Sequence, residues 1–188
     1  MEKMELLQKK YPDLVIQKDI PLAPYSTLRV GGKADYLLTA EEENTFCGVL
    51  RFLKENEIPC LVLGNGSNLL VKDGGFRGAV VRMGKEFSRI ERTEDGLYAP
   101  SGALMSVLAK AACEYGLTGL EFAQGIPGTV GGAVYMNAGA YGGEMKDVLH
   151  SVTAMDMEGN THVYTREELE LGYRHSALMH TGHIVTSA

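Results

Sequence analysis

An α+β fold follows from three features of the sequence. Two segments place apolar residues at helical spacing: Glu41–Glu55, with Phe46, Val49, Leu50 and Leu53 on one face, and residues 104–115, with Leu104, Val107, Leu108, Ala111, Ala112 and Tyr115. Short β-forming runs surround them in the order β, α, β, β, α, with further strands behind, which fits α+β better than a doubly wound parallel sheet. Two glycine-rich loops, Gly64–Asn68 and Gly125–Gly143, complete the pattern.

The elements follow in chain order. Residues 1–12 read as a short amphipathic helix that ends before Pro12, with Leu6 and Leu7 as its apolar face. Two short strands are expected around Leu28–Val30 and Asp35–Thr39, joined at Gly31 and Gly32. After the first long helix, Ile58–Leu63 is a strand that delivers the Gly64–Asn68 loop, and Leu69–Val71 reads as strand again. Residues 79–83 and Gly96–Ala99 add strands. Ser101 is the expected cap of the second helix and Gly116 its stop. Strands at 151–157 and 161–165 flank a turn at Glu158–Asn160, Thr165 and Glu168 form a capping-box pattern for a short helix, and 183–188 is a last strand. Turn residues cluster at Gly74–Gly78, which puts the expected subdomain division at 1–78 and 79–188. A sequence that stops within a strand reads as part of a longer protein.

Composition narrows the function classes. With 188 residues, 45% hydrophobic and 22% charged, the chain suits one large or two small globular domains. A net charge of -6 without a clustered basic face argues against nucleic acid. No apolar run approaches the roughly 20 residues that span a bilayer, and MEKMELLQKK lacks a signal peptide's apolar core, so no membrane partner and a cytoplasmic location are expected. Cys47, Cys60 and Cys113 form no C-x-x-C pair and read as buried, reduced thiols. His175, His180 and His183 read as surface histidines near a strand rather than as a metal site.

The stretch from Gly125 to Gly143 packs seven glycines into nineteen residues, interleaved with Ile126, Val130, Val134 and Met136, which a flexible linker would lack. It holds no Lys, Arg or Asp, so an anion bound there would rest on peptide N–H groups in a nest. GNGSN at Gly64–Asn68 reads either as a second such nest or as an ordinary turn. Leu69 replaces the third glycine of the dinucleotide fingerprint and no helix follows, which disfavours a Rossmann fold. Arg174 could recognise a carboxylate, stabilise an enolate or form a surface ion pair. Ser176 reads as a turn cap ahead of a substrate donor. Tyr141 could flank a ring-shaped ligand or plug a subdomain interface, and Glu121 reads as a solvated carboxylate.

The motifs STLRVGGKADYL, LGNGSNLL, GLEFAQGIPGTVGGAVYMNAGAYGGE and YRHSAL together resemble the UDP-N-acetylenolpyruvoylglucosamine reductase family, flavoenzymes of peptidoglycan precursor synthesis. The resemblance runs from about Thr27 to the end of the chain. It implies a two-lobed FAD-binding module of the vanillyl-alcohol-oxidase/PCMH type over about 27–188, with FAD as cofactor and NADPH as reductant. The implied substrate is a UDP-sugar enolpyruvyl ether, reduced at its vinyl carbon, and the implied state is a monomer. FAD contacts are implied for Leu63, Gly64, Asn65, Gly66, Ser67 and Asn68, then for Gly125, Ile126, Pro127, Gly128, Thr129, Gly131, Gly132 and Ala133, and for Asn137, Ala138, Gly139 and Tyr141. Arg174 matches the family's catalytic arginine. The family's third, substrate-binding domain, with its serine proton donor and C-terminal glutamate, has no counterpart in these 188 residues, and Ser176 belongs to the arginine motif. The leading expectation is therefore the flavin-binding part of the reductase. The alternatives are a flavin-binding module without turnover of its own, or another PCMH-type flavin oxidase.

Overall fold

The computed structural model describes residues 3–188. Its contacts divide the chain into two units, one running through Glu86 and including Met157–Gly159, the other made of Phe87–Asp156 and Asn160–Ala188. The expected division after Gly78 falls inside a strand, Phe76–Met83, whose ladder to its neighbours keeps it in the first unit.

The first unit begins with α1 (Lys3–Lys10), β1 (Val15–Pro21), β2 (Lys33–Ala40) and α2 (Glu43–Glu55), and continues with β3 (Cys60–Val62) and β4 (Phe76–Met83). Its sheet has the order β1-β2-β4-β3, antiparallel between β1 and β2 and parallel elsewhere. Successive residues Leu37 and Leu38 are both buried, so both faces of β2 are covered. Leu37 and Val80 meet Leu22, Leu63 and Val71 on one side. The helix α2 packs on β2 and β3 and buries Phe46, Val49, Leu50 and Leu53 completely, each contributing roughly 1.5–3 kcal/mol. In α1 the buried residues are Met4 and Leu7, one helical turn apart, while Leu6 is exposed, so the expected Leu6–Leu7 face is corrected. The first two residues of that expected helix lie outside the described residues.

Two expected strands are absent, at Leu28–Val30 and Leu69–Val71. The first is instead a strap: the Ser26 Oγ donates to the Leu69 carbonyl at 3.1 Å and the Thr27 N–H donates to the Gly66 carbonyl at 3.3 Å. The Leu28 and Arg29 N–H groups bond locally, to the Ser26 Oγ at 3.3 Å and the Ser26 carbonyl at 3.1 Å, and the Leu69 carbonyl is taken by Ser26, so neither segment joins a ladder.

The second unit holds β5 (Glu91–Arg92), β6 (Leu97–Tyr98), α3 (Met105–Glu114), α4 (Val130–Tyr135), β7 (Gly139–Ala140) and β8 (Gly143–Glu144). It continues with α5 (Met145–Val148), β9 (Ser151–Met155), β10 (Thr161–Thr165), α6 (Leu178–Thr181) and β11 (Ile184–Ser187). The strands β10-β9-β11 form an antiparallel sheet whose Val152, Ala154 and Val185 pack with Met105 and Leu108 of α3 and with Val130, Ala133 and Val134 of α4. Helix α3 starts at a Leu104 cap rather than at Ser101, because the Ser101 backbone is already bonded to Thr186 and Gly131. Thr165 and Glu168 do exchange both capping-box hydrogen bonds, yet only turns follow them.

The thiols differ from the expected burial: Cys47 and Cys60 are half-buried and Cys113 is exposed. Desolvation pushes the Cys60 thiol up to about 12. Among the described residues no helix is long and apolar enough to cross a membrane.

Candidate functional site

The first candidate segment, Leu63–Asn68, leaves β3 at its carboxyl end, where the Leu63 N–H still donates to the Val81 carbonyl at 2.9 Å. Gly66 takes φ +64, and a Cβ there would collide with the Tyr25 carbonyl oxygen, so the chain reverses only as glycine. Among the described residues the N–H groups of Gly64, Gly66 and Ser67 donate to no protein acceptor. Peptide N–H groups left over in a turn are what an anion nest offers. The side chains of Leu28, Val30 and Leu70 stand exposed on the same strap and loop, an apolar surface beside the polar turn.

The second segment behaves differently along its length. At its start, Gly128 and Thr129 direct no N–H group to a protein acceptor among the described residues, whereas the Gly128 carbonyl accepts from the Met105 N–H at 3.0 Å. The N–H groups that open α4 are consumed: Val130 donates to Ala103 at 2.8 Å, Gly131 to Ser101 at 2.9 Å and Gly132 to the Thr129 Oγ1 at 3.4 Å. Gly131 is needed for that approach, since a Cβ on it would lie 2.7 Å from the Ser101 Cβ. Of the residues expected to face a cofactor here, Gly131 and Gly132 therefore serve α4, and Ala133 is buried in the core.

Asn137 is also a structural clamp. It is buried at φ +43, its Nδ2 donates to the Glu144 Oε2 at 2.5 Å and to the Gly172 carbonyl at 3.0 Å, and its Oδ1 accepts from the Lys146 N–H at 2.9 Å. Glu144 pairs with Lys146 and, through a hydrogen bond first and its charge second, holds that ammonium above the usual lysine range. Gly139 and Ala140 enter the β7–β8 hairpin, whose two-residue turn is Tyr141 (φ 53) and Gly142 (φ 88), the positive-φ pair of a type I′ reversal. Tyr141 stands 97% exposed at the tip.

The arginine motif forms a second tight reversal. Gly172 and His175 exchange N–H···O=C bonds at 3.2 Å in both directions, which leaves Tyr173 and Arg174 as the turn. Arg174 sits at φ 50, a left-handed conformation that costs a non-glycine residue about 1 kcal/mol or more. Two bonds fix this turn: Asn137 to the Gly172 carbonyl, and the Ser176 Oγ to the Tyr135 carbonyl at 2.7 Å. Ser176 is wholly buried and so anchors the turn. The Glu121 carboxylate is exposed and accepts from the Gly119 N–H at 2.8 Å. The three expected surface histidines divide, His175 lying against His180 at 5.4 Å between ring centroids while the His183 Nδ1 meets the Tyr164 hydroxyl at 2.6 Å.

Sequence reasoning missed Asn137 as a clamp, together with Ser26, Glu144 and Ser101. No local pattern signalled them, since the partners that Asn137 and Ser26 clamp lie 7 to 43 residues away and Ser101 reaches as far as Thr186.

Comparison with known proteins places the chain in a family. The FAD binding domain family matches residues 34–165. UDP-N-acetylenolpyruvoylglucosamine reductase of Clostridioides difficile (strain 630) is 50% identical over 173 residues, covering 92% of this chain and 57% of the relative. The crystal structure of UDP-N-acetylenolpyruvylglucosamine reductase from Thermus caldophilus superposes with a TM-score of 0.78 at 42% identity, covering 93% of this chain and 60% of that one. A solvent-stable cholesterol oxidase shares the fold at a TM-score of 0.67 and 17% identity, covering 94% of this chain and 37% of that one. The α+β fold is thus the vanillyl-alcohol-oxidase/PCMH flavoprotein fold. The chain spans less than two thirds of the length of the relatives it matches.

Proposed function

Because this chain belongs to the FAD binding domain family, we propose that it is the flavin-binding part of a UDP-N-acetylenolpyruvoylglucosamine reductase. The whole reaction in this reading is the NADPH-dependent reduction of UDP-N-acetylglucosamine enolpyruvate to UDP-N-acetylmuramate, in peptidoglycan synthesis. The observation that carries the cofactor assignment is the set of undirected N–H groups at Gly64, Gly66 and Ser67, which suits a phosphate without any lysine; the second unit separately keeps those of Gly128 and Thr129 undirected. Bound FAD would supply the two-electron carrier between NADPH and the enolpyruvyl ether.

The residues of this chain do the rest. In the first unit Leu63–Asn68 offers its N–H groups to phosphate; in the second Gly125–Thr129 offers its own, and Ala138, Gly139 and Tyr141 are flavin contacts of that unit. Asn137, Gly131, Gly132 and Ala133 act indirectly, by setting the backbone. Arg174, presented on its clamped turn, pairs with the substrate carboxylate and stabilises the enolate that develops in the transition state. The substrate proton donor and the terminal acid of the family lie in a further domain. The protein acts in the cytoplasm as a monomer.

A second reading is a flavin-binding module without turnover of its own. Two measurements separate the readings. Purified chain titrated with FAD should quench flavin fluorescence at a one-to-one ratio, and absence of binding refutes both readings. Substrate-dependent NADPH oxidation should be weak or absent in this chain and present in a longer protein that carries the additional domain. In that longer protein Arg174→Ala should lower kcat by about 10²–10³ with flavin binding intact, and unchanged turnover refutes the role given to Arg174.

A further inference from the structure

The nest at Gly64–Ser67 contains no cation, but one stands beside it. Arg82 is the penultimate residue of β4, and the β3–β4 ladder pairs Val62 with Val81, so Arg82 lies next to the point where Leu63 leaves the sheet for the loop. Alternation along β4 puts its side chain on the face of Val80, the face of Leu37, Leu63 and Val71. There the guanidinium lies over the Tyr25 ring, 5.2 Å from its centroid. The same Tyr25 offers the backbone oxygen against which Gly66 turns, and the next residues hold the loop through Ser26 and Thr27.

Among the described residues no carboxylate pairs with Arg82, and its guanidinium donates no hydrogen bond. Every other sheet arginine nearby is engaged; Arg77 at the opposite end of β4 reaches Asp35 and the Lys33 carbonyl. A half-buried guanidinium that keeps all its donors, steadied on an aromatic face, is organised for an anion. The carboxyl ends of parallel strands are where such ligands bind in open sheets.

We propose that Arg82 is the cationic contact for the phosphate groups of the dinucleotide held by Gly64–Ser67, and that Tyr25 positions it. This rests on the flavin-binding reading above. The division of labour is specific: the N–H groups set where a phosphate sits, and Arg82 supplies the charge that the glycine loops lack.

The test is the affinity of the intact chain for FAD, read by fluorescence quenching, for the unsubstituted protein, Arg82→Gln and Arg82→Met. The methionine keeps an apolar stem over Tyr25 in case the glutamine variant folds poorly. Each folded variant should bind FAD about tenfold more weakly, equivalent to about 1.4 kcal/mol, and raising the salt should weaken the unsubstituted protein more than either variant. Arg82→Lys should recover part of the loss. Affinity within twofold of the unsubstituted chain in a folded variant overturns the role of Arg82 while leaving the flavin reading intact. Failure of the unsubstituted chain to bind FAD overturns both.

Discussion

The two glycine-rich segments use the same residue for opposite ends. At Gly64–Ser67 the backbone turns so tightly that the N–H groups of Gly64, Gly66 and Ser67 find no protein acceptor. At the start of α4 the glycines instead let the helix press against Ser101 and Ala103, and Val130, Gly131 and Gly132 spend their N–H groups on the protein. Glycine density in both cases marks close backbone approach. What differs is the fate of the N–H groups: packed against the Tyr25 carbonyl, the first loop leaves its own undirected, while packed against Ser101, the second spends them on the protein. Counting glycines therefore does not count open N–H groups: at the start of α4, among the described residues, Gly128 and Thr129 keep theirs undirected while Val130, Gly131 and Gly132 do not.

The largest expected effect is at Asn137, the end of the segment that serves structure. Asn137→Ala removes bonds to Glu144, Gly172 and Lys146 from a buried position and leaves the Gly172 carbonyl and the Lys146 N–H without this partner. Thermal unfolding without flavin should show a loss of about 3 kcal/mol, a shift of roughly 6–12 °C for a chain of this size. An unchanged melting temperature would mean that Asn137 is kept for a ligand, and the contrast between the segments would weaken. Next comes Gly66→Ala. Its Cβ meets the Tyr25 carbonyl and its φ is left-handed, so the loop must open. Stability should fall by about 2 kcal/mol and FAD affinity by about tenfold. Gly131→Ala is the matched control: overpacking against Ser101 should cost about 1–2 kcal/mol, while the folded protein keeps its FAD affinity within twofold.

Sequence made α2 legible because four fully buried residues repeat at helical spacing. It hid β1, since VIQKDIP is an edge strand with mostly exposed side chains and a terminal proline, so no alternation survives. The β7–β8 hairpin was equally hidden, because its turn relies on Tyr141 at positive φ, a conformation that a tyrosine does not announce. In the site, the position of the Gly64–Asn68 loop was readable from the strand before it. Its bracing by Ser26 and the presence of Arg82 were not, because both reach it through tertiary pairing. The arginine turn was legible as a motif, but its clamps were not, for Asn137 and Ser176 look like ordinary polar residues until their partners are placed.

The smallest effect isolates one N–H group. The Thr129 Oγ1 accepts from Gly132 at 3.4 Å, a long capping bond, and Thr129 is buried, so Thr129→Val keeps the shape and deletes the acceptor. The cost should lie at the low end for an N-cap, about 0.5 kcal/mol, or roughly 1–2 °C in melting temperature. Flavin affinity carries the argument. If the Gly132 N–H belongs to the helix, releasing it changes FAD binding by less than twofold, since Gly128 and Thr129 still present their own N–H groups from an unaltered turn. A tighter complex would mean that the freed N–H reaches the anion, and the start of α4 would then be a nest after all, held closed by its own cap.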